Sequence, residues 1–202
     1  MNAGNATRGA VVLCGGRSSR MGRDKASLPF GDETLLQRVV RIVAPAVADV
    51  VVVARAGQEL PALPAGVRVV RDELDDRGPL GGLAPGLRAS RADAVFATGC
   101  DAPFVSRAVV DLLFERLGER DGAVAETDGR PHPLCAVWRP RVAEFTHARH
   151  RSLMDVILGE TLEQKRFFDQ IAAGRDDVLG RRANGAGSPG TGDGVLGVRW
   201  IE

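Results

Sequence analysis

Cysteine, long apolar runs and net charge are all scarce in this sequence, and each shortage removes a class of protein. The three cysteines lie far apart and lack the paired spacing of a zinc site, so we expect buried, reduced thiols rather than metal ligands. The formal net charge of +1 provides no general basic surface for binding nucleic acid. No apolar run reaches the roughly 18 residues of a membrane-spanning helix, so we expect no membrane partner.

The amino-terminal segment also lacks the features of a secretion signal. Its first residues, MNAGNATRGA, are small and mostly polar. A signal peptide needs an apolar stretch of about 7–15 residues behind a charged start. We therefore expect a cytoplasmic location.

Short apolar runs alternate along the chain with amphipathic segments. The pattern predicts strands at residues 10–14, 50–54, 67–71, 94–98, 123–126 and 134–138, and helices at 34–46, 81–90, 105–117, 141–150, 152–158 and 161–173. Thr34 is a suitable cap for the first of these helices. Strands that are apolar throughout and alternate with helices indicate a parallel sheet covered on both faces. The predicted fold is a three-layer α/β/α sandwich with a mainly parallel, Rossmann-like sheet.

The composition predicts one domain followed by a tail. With 44% hydrophobic residues, the 202-residue chain can bury a substantial core, which we assign to residues 1–179. Residues 180–194, GRRANGAGSPGTGDG, contain too little apolar surface to order themselves. We therefore predict a flexible tail over residues 180–202, although its last eight residues, VLGVRWIE, also fit an edge strand.

The most informative segment is VVLCGGRSSRMGRDKASL, residues 11–28, in which a glycine-rich turn follows a buried strand. The amides of Gly15 and Gly16 are suited to form an anion-binding nest. The segment is neither a Walker A loop nor a GxGxxG dinucleotide motif. Its four cations suit a triphosphate, because they neutralise phosphoryl oxygens; they are Arg17, Arg20, Arg23 and Lys25.

Two carboxylates follow other predicted strands. Asp101 comes directly after one strand and is a natural Mg²⁺ ligand, or alternatively a turn cap before Pro103. Asp72 follows another strand and suits hydrogen bonds from a base or a ribose, with a solvated acidic turn as an equal alternative. Because the carboxyl ends of parallel strands share one edge of a sheet, we expect the glycine loop and both carboxylates to gather there.

The sequence offers no covalent nucleophile. No serine lies in a nucleophile elbow, and no Ser/His/Asp arrangement is suggested. His132 stands between two prolines and is interpreted as a loop residue, with a substrate contact as the alternative. His147 and His150 belong to a charged helical face. Covalent catalysis therefore has no support.

Four segments together resemble the molybdenum cofactor guanylyltransferase family. They are LCGGRSSRMGRDKASL, RDELDDRGPLGGL, ATGCDAPFV and HPLCAVW, and the resemblance covers about residues 8–160. The related cytidylyltransferases usually have Ala-Gly in place of Gly15-Gly16 and lack the Asp24-Lys25 pair. The first segment is therefore the most specific of the four.

The resemblance implies transfer of GMP from GTP to molybdopterin, or to its molybdenum-loaded form, with Mg²⁺ as cofactor and with transient contacts to other proteins of molybdenum cofactor biosynthesis. Carried over by motif, the GTP-binding residues are Leu13, Cys14, Gly15, Lys25, Asp72 and Asp101. Asp101 would also bind Mg²⁺. The chemistry of the loop adds Gly16 and Arg20, which would hold the β- and γ-phosphates together with Lys25. Lys25, Arg20 and Asp101 are thus the expected catalytic residues.

The resemblance ends before the carboxyl terminus. The family usually closes with an Asn-Val-Asn-Thr-Pro-Glu-Asp-like segment, and this chain has the glycine-rich stretch instead. Two alternatives stay open: a nucleotidyltransferase of the same fold that uses CTP or a sugar phosphate, and a non-catalytic GTP-binding accessory protein. A nucleotide panel separates the first alternative from the guanylyltransferase, and pyrophosphate turnover separates the second.

Overall fold

The computed structural model describes residues 6–14, 24–72, 82–127, 130–144 and 196–201. These residues form nine strands: β1 (Arg8–Leu13), β2 (Pro29–Phe30), β3 (Glu33–Thr34), β4 (Asp49–Arg55), β5 (Arg68–Asp72), β6 (Ala94–Gly99), β7 (Gly122–Thr127), β8 (Arg130–Trp138) and β9 (Leu196–Ile201). Their helices are α1 (Leu35–Val43), α2 (Leu83–Ala89) and α3 (Arg107–Leu117). Among these described residues, no helix has the length and apolar character needed to cross a bilayer.

Seven strands form one mixed sheet in the order β5-β4-β1-β6-β8-β7-β9, while β2 and β3 form a separate small hairpin. Strands β5, β4, β1 and β6 are parallel to one another. Strand β8 runs antiparallel to β6 and β7, and β9 runs antiparallel to β7. Five of the seven strands therefore point the same way, which confirms the mainly parallel sheet.

Helices cover both faces of the sheet. Side chains of β1 alternate, so that Val12 packs with α1 and α3 on one face while Val11 packs with α2 on the other. Helix α2 lies very close to the sheet at Gly86, where an added Cβ would stand 2.6 Å from Val11 Cγ1. The three-layer α/β/α sandwich is confirmed.

Hydrogen-bonded caps begin α1 and α3 near the carboxyl ends of the strands that precede them. Thr34 Oγ1 accepts the Gln37 amide N–H at 3.3 Å, and the Gln37 side chain accepts the Thr34 N–H at 2.9 Å, which completes a capping box. Ser106 Oγ accepts the Val109 N–H at 3.3 Å in the same manner. The prediction of Thr34 as a cap is confirmed.

Strand β9 corrects the prediction of a flexible tail for part of its length. Leu196–Ile201 pair with β7 along six residues, from Gly122 opposite Ile201 to Thr127 opposite Leu196. The edge-strand alternative therefore holds for residues 196–201. Residues 180–195 lie outside the described residues, as do the predicted helices from residue 145 onward, and the boundary at residue 179 stays a prediction.

Strand β8 is longer than predicted. It begins at Arg130 rather than near Leu134, and it pairs His132 with Ala125 of β7. His132 therefore lies in a strand and not in a loop, although its side chain is exposed. Its two neighbouring prolines are tolerated because the β7–β8 pairing shifts register at this point.

Candidate active site

The carboxyl ends of β5, β4, β1 and β6 form one continuous edge of the sheet. The Cys14 amide donates to the Val53 carbonyl at 2.8 Å, and the Cys100 amide donates to the Leu13 carbonyl at 2.9 Å. These bonds continue the parallel ladder for one residue beyond β1 and β6. The start of the glycine loop, Asp101 and Asp72 are thereby brought to the same edge, as predicted from the parallel pattern.

Lys25 and Asp101 meet at this edge. Lys25 Nζ donates to Asp101 Oδ2 at 2.8 Å, and both side chains keep about half of their surface in solvent, at 44% and 50%. Lys25 opens a short 3₁₀ turn that Asp24 caps by accepting the Ala26 N–H at 3.0 Å. The hydrogen bond to Asp101 raises the pKa of Lys25 above its usual value, so Lys25 stays a cation at neutral pH.

The carboxylate of Asp101 points back over the end of β6. A Cβ placed on Gly99 would lie only 2.6 Å from Asp101 Oδ1, so glycine is required there for this orientation. Within the described residues, the Asp101 carboxylate bonds Lys25 and accepts no backbone N–H. The alternative of a turn cap before Pro103 therefore has no hydrogen bond to support it.

Asp72 stands at the far end of the same edge. It closes β5, which is separated from β6 by β4 and β1, so a spacing of about 4.8 Å per strand places it roughly 14 Å from Asp101. Its carbonyl accepts the Ala56 N–H at 3.3 Å, which fixes the backbone, and its side chain is partly exposed. The two carboxylates are thus too far apart to share one metal ion, yet both lie within reach of one extended ligand.

Leu13 and Cys14 present backbone rather than side chains to this edge. The Leu13 side chain is buried on the α2 face, and that of Cys14 is buried on the opposite face. A hydrogen bond with the Cys100 thiol, together with burial, raises the pKa of Cys14 well above its usual range. Cys14 therefore remains a protonated thiol, which agrees with the absence of a covalent nucleophile in the sequence analysis.

The cysteines have the state expected from the sequence. All three are free, with Cys14 and Cys100 buried and Cys135 partly buried. Burial also raises the pKa of Cys135 to about 11. At neutral pH these two shifted thiols, Cys14 and Cys135, carry no charge that would attract a metal ion or attack a phosphorus atom.

Three predicted ligand-binding residues, Gly15, Gly16 and Arg20, lie between residues 14 and 24, outside the described residues. The ends of their segment are placed, because Cys14 closes the ladder beyond β1 and Asp24 caps the turn at Lys25. Their roles stay predictions.

Gln58 is a site residue that the sequence analysis missed. Its side chain is only 6% exposed, and its Nε2 donates to the Cys14 carbonyl at 3.3 Å. Its Oε1 accepts the Arg55 N–H at 2.9 Å, while its own carbonyl accepts from Arg71 Nη1 at 2.6 Å. Gln58 therefore joins the ends of β4 and β5 to the residue immediately before Gly15.

The only signal for Gln58 in the sequence is a glycine followed by an amide just beyond a buried strand. Gly57 adopts φ +70°, which reverses the chain and sends Gln58 back under the edge. Such a pair is equally typical of an exposed turn, and only the fold shows that the glutamine is buried.

The described part of the chain holds no ready-made metal cage. No group of three or more His, Cys, Asp and Glu side chains within it is arranged to enclose an ion. Asp101 offers a half-exposed carboxylate beside the expected phosphate loop. Mg²⁺ commonly binds through one or two carboxylates and completes its shell with water and substrate phosphates, so this donor set fits Mg²⁺ better than a structural metal.

Comparison with known families gives a match over most of the chain. A family model described as the MobA-like NTP transferase domain matches residues 10–165. A protein of Mycobacterium tuberculosis named "Probable molybdenum cofactor guanylyltransferase" is 43% identical over 140 residues, which cover 66% of this chain and 69% of that protein. The residues that the family model matches include the carboxyl ends of β5, β4, β1 and β6.

Solved structures share the fold at lower sequence identity. A nucleotidyl transferase from Methanothermobacter thermautotroptrophicus superposes with a TM-score of 0.61 at 22% identity, covering 79% of this chain and 83% of the other. Molybdopterin-guanine dinucleotide biosynthesis protein A from Archaeoglobus fulgidus gives a TM-score of 0.56 at 22% identity, covering 81% and 88%. At this identity the likeness shows the shared architecture of the sheet and helices.

Proposed function

The chain belongs to the MobA-like NTP transferase domain family, and from that membership we propose that it transfers GMP from GTP to the terminal phosphate of molybdopterin or its molybdenum-loaded form. One observation supports the proposal most directly. The start of the glycine loop, the Lys25–Asp101 pair and Asp72 all lie along the carboxyl edge of the parallel strands. The reaction would take place in the cytoplasm, where the enzyme would contact other proteins of molybdenum cofactor biosynthesis only transiently.

The reaction is a single in-line displacement. An oxygen of the acceptor's terminal phosphate attacks the α-phosphorus of GTP, and the bond from that phosphorus to the β-phosphate oxygen breaks, which releases pyrophosphate. The acceptor is already an anion at neutral pH, so no strong general base is needed. The protein contributes position and charge neutralisation, and its protonated thiols take no part.

Lys25 supplies a fixed positive charge to this displacement. Its side chain is about half exposed, so the ammonium group can donate to a phosphate oxygen while it stays close to Asp101. The raised pKa keeps the charge in place while negative charge builds on the departing pyrophosphate. Arg20 and the backbone amides of Gly15 and Gly16 would also bind the β- and γ-phosphates.

Asp101 would hold the magnesium ion. When bound, Mg²⁺ neutralises phosphate oxygens and stabilises the leaving group. The carboxylate of Asp101 lies over Gly99 and is half exposed beside Lys25, so it could hold this ion.

Asp72 would bind the other end of the nucleotide. The separation of roughly 14 Å between the ends of β5 and β6 suits a nucleoside triphosphate laid along the edge, with base and ribose toward β5 and phosphates toward β6. Accepting hydrogen bonds from ring N–H groups or ribose hydroxyls is the chemistry that a carboxylate offers there.

A nucleotide panel tests the proposal. GTP with Mg²⁺ should raise the melting temperature, with a stabilisation of about 2.7 kcal/mol at a hundredfold excess over Kd, and ATP and CTP should raise it much less. Pyrophosphate should appear only when GTP, Mg²⁺ and molybdopterin are all present. Equal shifts with CTP would favour the cytidylyl alternative, and GTP binding without pyrophosphate would favour the accessory protein.

Gln58→Ala should weaken GTP binding about tenfold. The change leaves the Cys14 carbonyl and the Arg55 amide without their partner in a buried place, so the start of the glycine loop loses its support. Titration calorimetry with GTP and Mg²⁺ measures the effect, and turnover at saturating GTP should fall less than threefold if the residue only positions the loop.

Gln37→Ala is the matched control for this measurement. Gln37 also donates its side-chain N–H to a backbone carbonyl, that of Ala62, at 2.9 Å, and it caps α1. Among the described residues, none of its hydrogen bonds goes to a residue assigned to GTP. Its loss should lower the melting temperature without changing GTP affinity. If both variants lose affinity in proportion to their loss of stability, the positioning role of Gln58 is wrong.

A further inference from the structure

Phe104 is the most exposed large apolar side chain in the described part of the chain. It is 83% exposed and lies in the loop that leads from Asp101 to α3. Its ring meets that of Phe30, on the β2–β3 hairpin, edge to face, with centroids 5.7 Å apart. A ring so exposed but held in place by a second ring presents a firm, open aromatic face.

Three contacts hold the loop that contains Phe104 against residues 25–38. Lys25 bonds Asp101, the Phe30 ring packs on Phe104, and Arg38 Nε donates to the Pro103 carbonyl at 3.4 Å. Phe104 follows Asp101 by three residues, so their Cα atoms are no more than about 11 Å apart. The open ring therefore lies within one short loop of the carboxylate that would carry the metal.

A shallow pocket of about 490 Å³ lies on the hairpin beside this ring pair. It is lined by Phe30, Gly31, Asp32, Glu33 and Arg38. Glu33 is occupied by ion pairs with Arg38 and Arg41, and Arg38 also lies over the Phe30 ring at 5.5 Å. Asp32 makes no hydrogen bond or ion pair with any described residue, so the pocket combines aromatic surface, a cation and an unpaired carboxylate.

We propose that Phe104 is the stacking platform for the pterin ring of the acceptor, and that Asp32 binds the ring's N–H edge. The proposal rests on the proposed function, because it places the second substrate of that reaction. A pterin is a flat bicyclic ring whose amino and ring N–H groups point the same way, so one carboxylate accepts from both. Its flat face stacks on an open phenyl ring, and its carbonyl side suits a cation such as Arg38.

The position fits the chemistry of the transfer. A pterin phosphate carries its phosphate on a short side chain, so a phosphate oxygen near Asp101 leaves the ring close to Phe104. The nucleotide would occupy the part of the edge toward β5, on the other side of β1. Donor and acceptor would therefore meet beside Asp101, where an oxygen of the acceptor phosphate attacks the α-phosphorus on the face opposite the departing pyrophosphate.

Binding of 6-hydroxymethylpterin phosphate to the GTP-loaded full chain tests the proposal, because saturating GTP keeps this fluorescent probe out of the guanine site. Because aromatic stacking contributes directly to affinity, Phe104→Ala should weaken binding about tenfold, and Phe104→Trp, which keeps an aromatic face, should keep it within about twofold. Asp32→Asn should also weaken it. Fluorescence quenching gives the affinities, and the KM for molybdopterin should follow them while GTP affinity stays unchanged.

Val69→Ala is the matched control, because Val69 is also an exposed large apolar residue, at 42%, but lies on β5 away from the hairpin. It should leave probe binding unchanged. Equal probe affinity in the wild type and Phe104→Ala, or no binding to the wild type, overturns the platform. If the wild type releases no pyrophosphate but probe binding still depends on Phe104, the proposed transfer fails and the platform stands.

Discussion

Replacing Asp101 by asparagine should lower turnover of GTP and molybdopterin at least about 100-fold, while GTP affinity falls less than about tenfold. Asparagine keeps the shape of the side chain but removes the charge that bonds Lys25 and that would hold Mg²⁺. The charge matters most when the leaving pyrophosphate forms, so the loss should appear in kcat. Pyrophosphate release at saturating substrates measures it, and added Mg²⁺ should not restore the rate.

Asp111→Asn is the appropriate control for the loss of an ion pair. Asp111 also bonds cations, Arg8 at 3.0 Å and Arg107 at 2.7 Å, but it lies on α3 and does not approach the carboxyl edge. Its substitution should leave kcat unchanged. An Asp101→Asn enzyme that keeps more than a third of the wild-type rate would show that the metal binds elsewhere.

Removing residues 196–202 should lower the free energy of unfolding by about 3–5 kcal/mol. The deletion takes away the six-residue pairing with β7 and exposes the apolar surface that Val198 and Ile201 cover on the two faces of the sheet. Denaturant unfolding measures the loss. GTP affinity of the fraction that stays folded should change less than threefold, because β7 and β9 lie at the opposite side of the sheet from β5 and β4.

A chain that lacks residues 183–192 but keeps β9 separates pairing from simple shortening. It should unfold at a denaturant concentration close to that of the wild type, since shortening the chain between two paired strands changes stability only slightly if the removed residues form no packed structure, as their composition predicts. Val198→Asp is a second variant, which keeps the full chain. Like the deletion, it should lower the free energy of unfolding. Unchanged stability in both β9 variants would contradict the pairing of β9 with β7.

The parallel strands of the core and the residues at their carboxyl edge could be predicted, because each is indicated by residues that are neighbours in the sequence. Strands β1, β4 and β6 are continuous apolar runs, and the polar residues Asp72 and Asp101 come directly after predicted strands. Sheet topology then requires the loops after parallel strands to meet. These arguments need only neighbouring residues and the rules of strand pairing.

The remaining features depend on contacts between distant parts of the chain. The glycine-rich composition before β9 suggested a flexible tail, because nothing in residues 196–201 reveals that β7 offers them an unpaired edge. Gln58 and Phe104 are ordinary turn and loop residues by sequence. The Gln58 side chain is held by a carbonyl 44 positions away, and the Phe104 ring contacts a hairpin that approaches it only in the fold.

The pairing of β9 with β7 also sets the order in which the molecule can be completed during synthesis. Leu196 pairs with Thr127, about 70 positions earlier, so the ribosome takes roughly 4 to 14 seconds to make the residues between them. Through that interval the free side of β7 is an open strand edge, able to pair with another chain. Slower translation of the glycine-rich stretch should therefore increase aggregation of nascent chains, although the finished sheet has this side of β7 covered by β9.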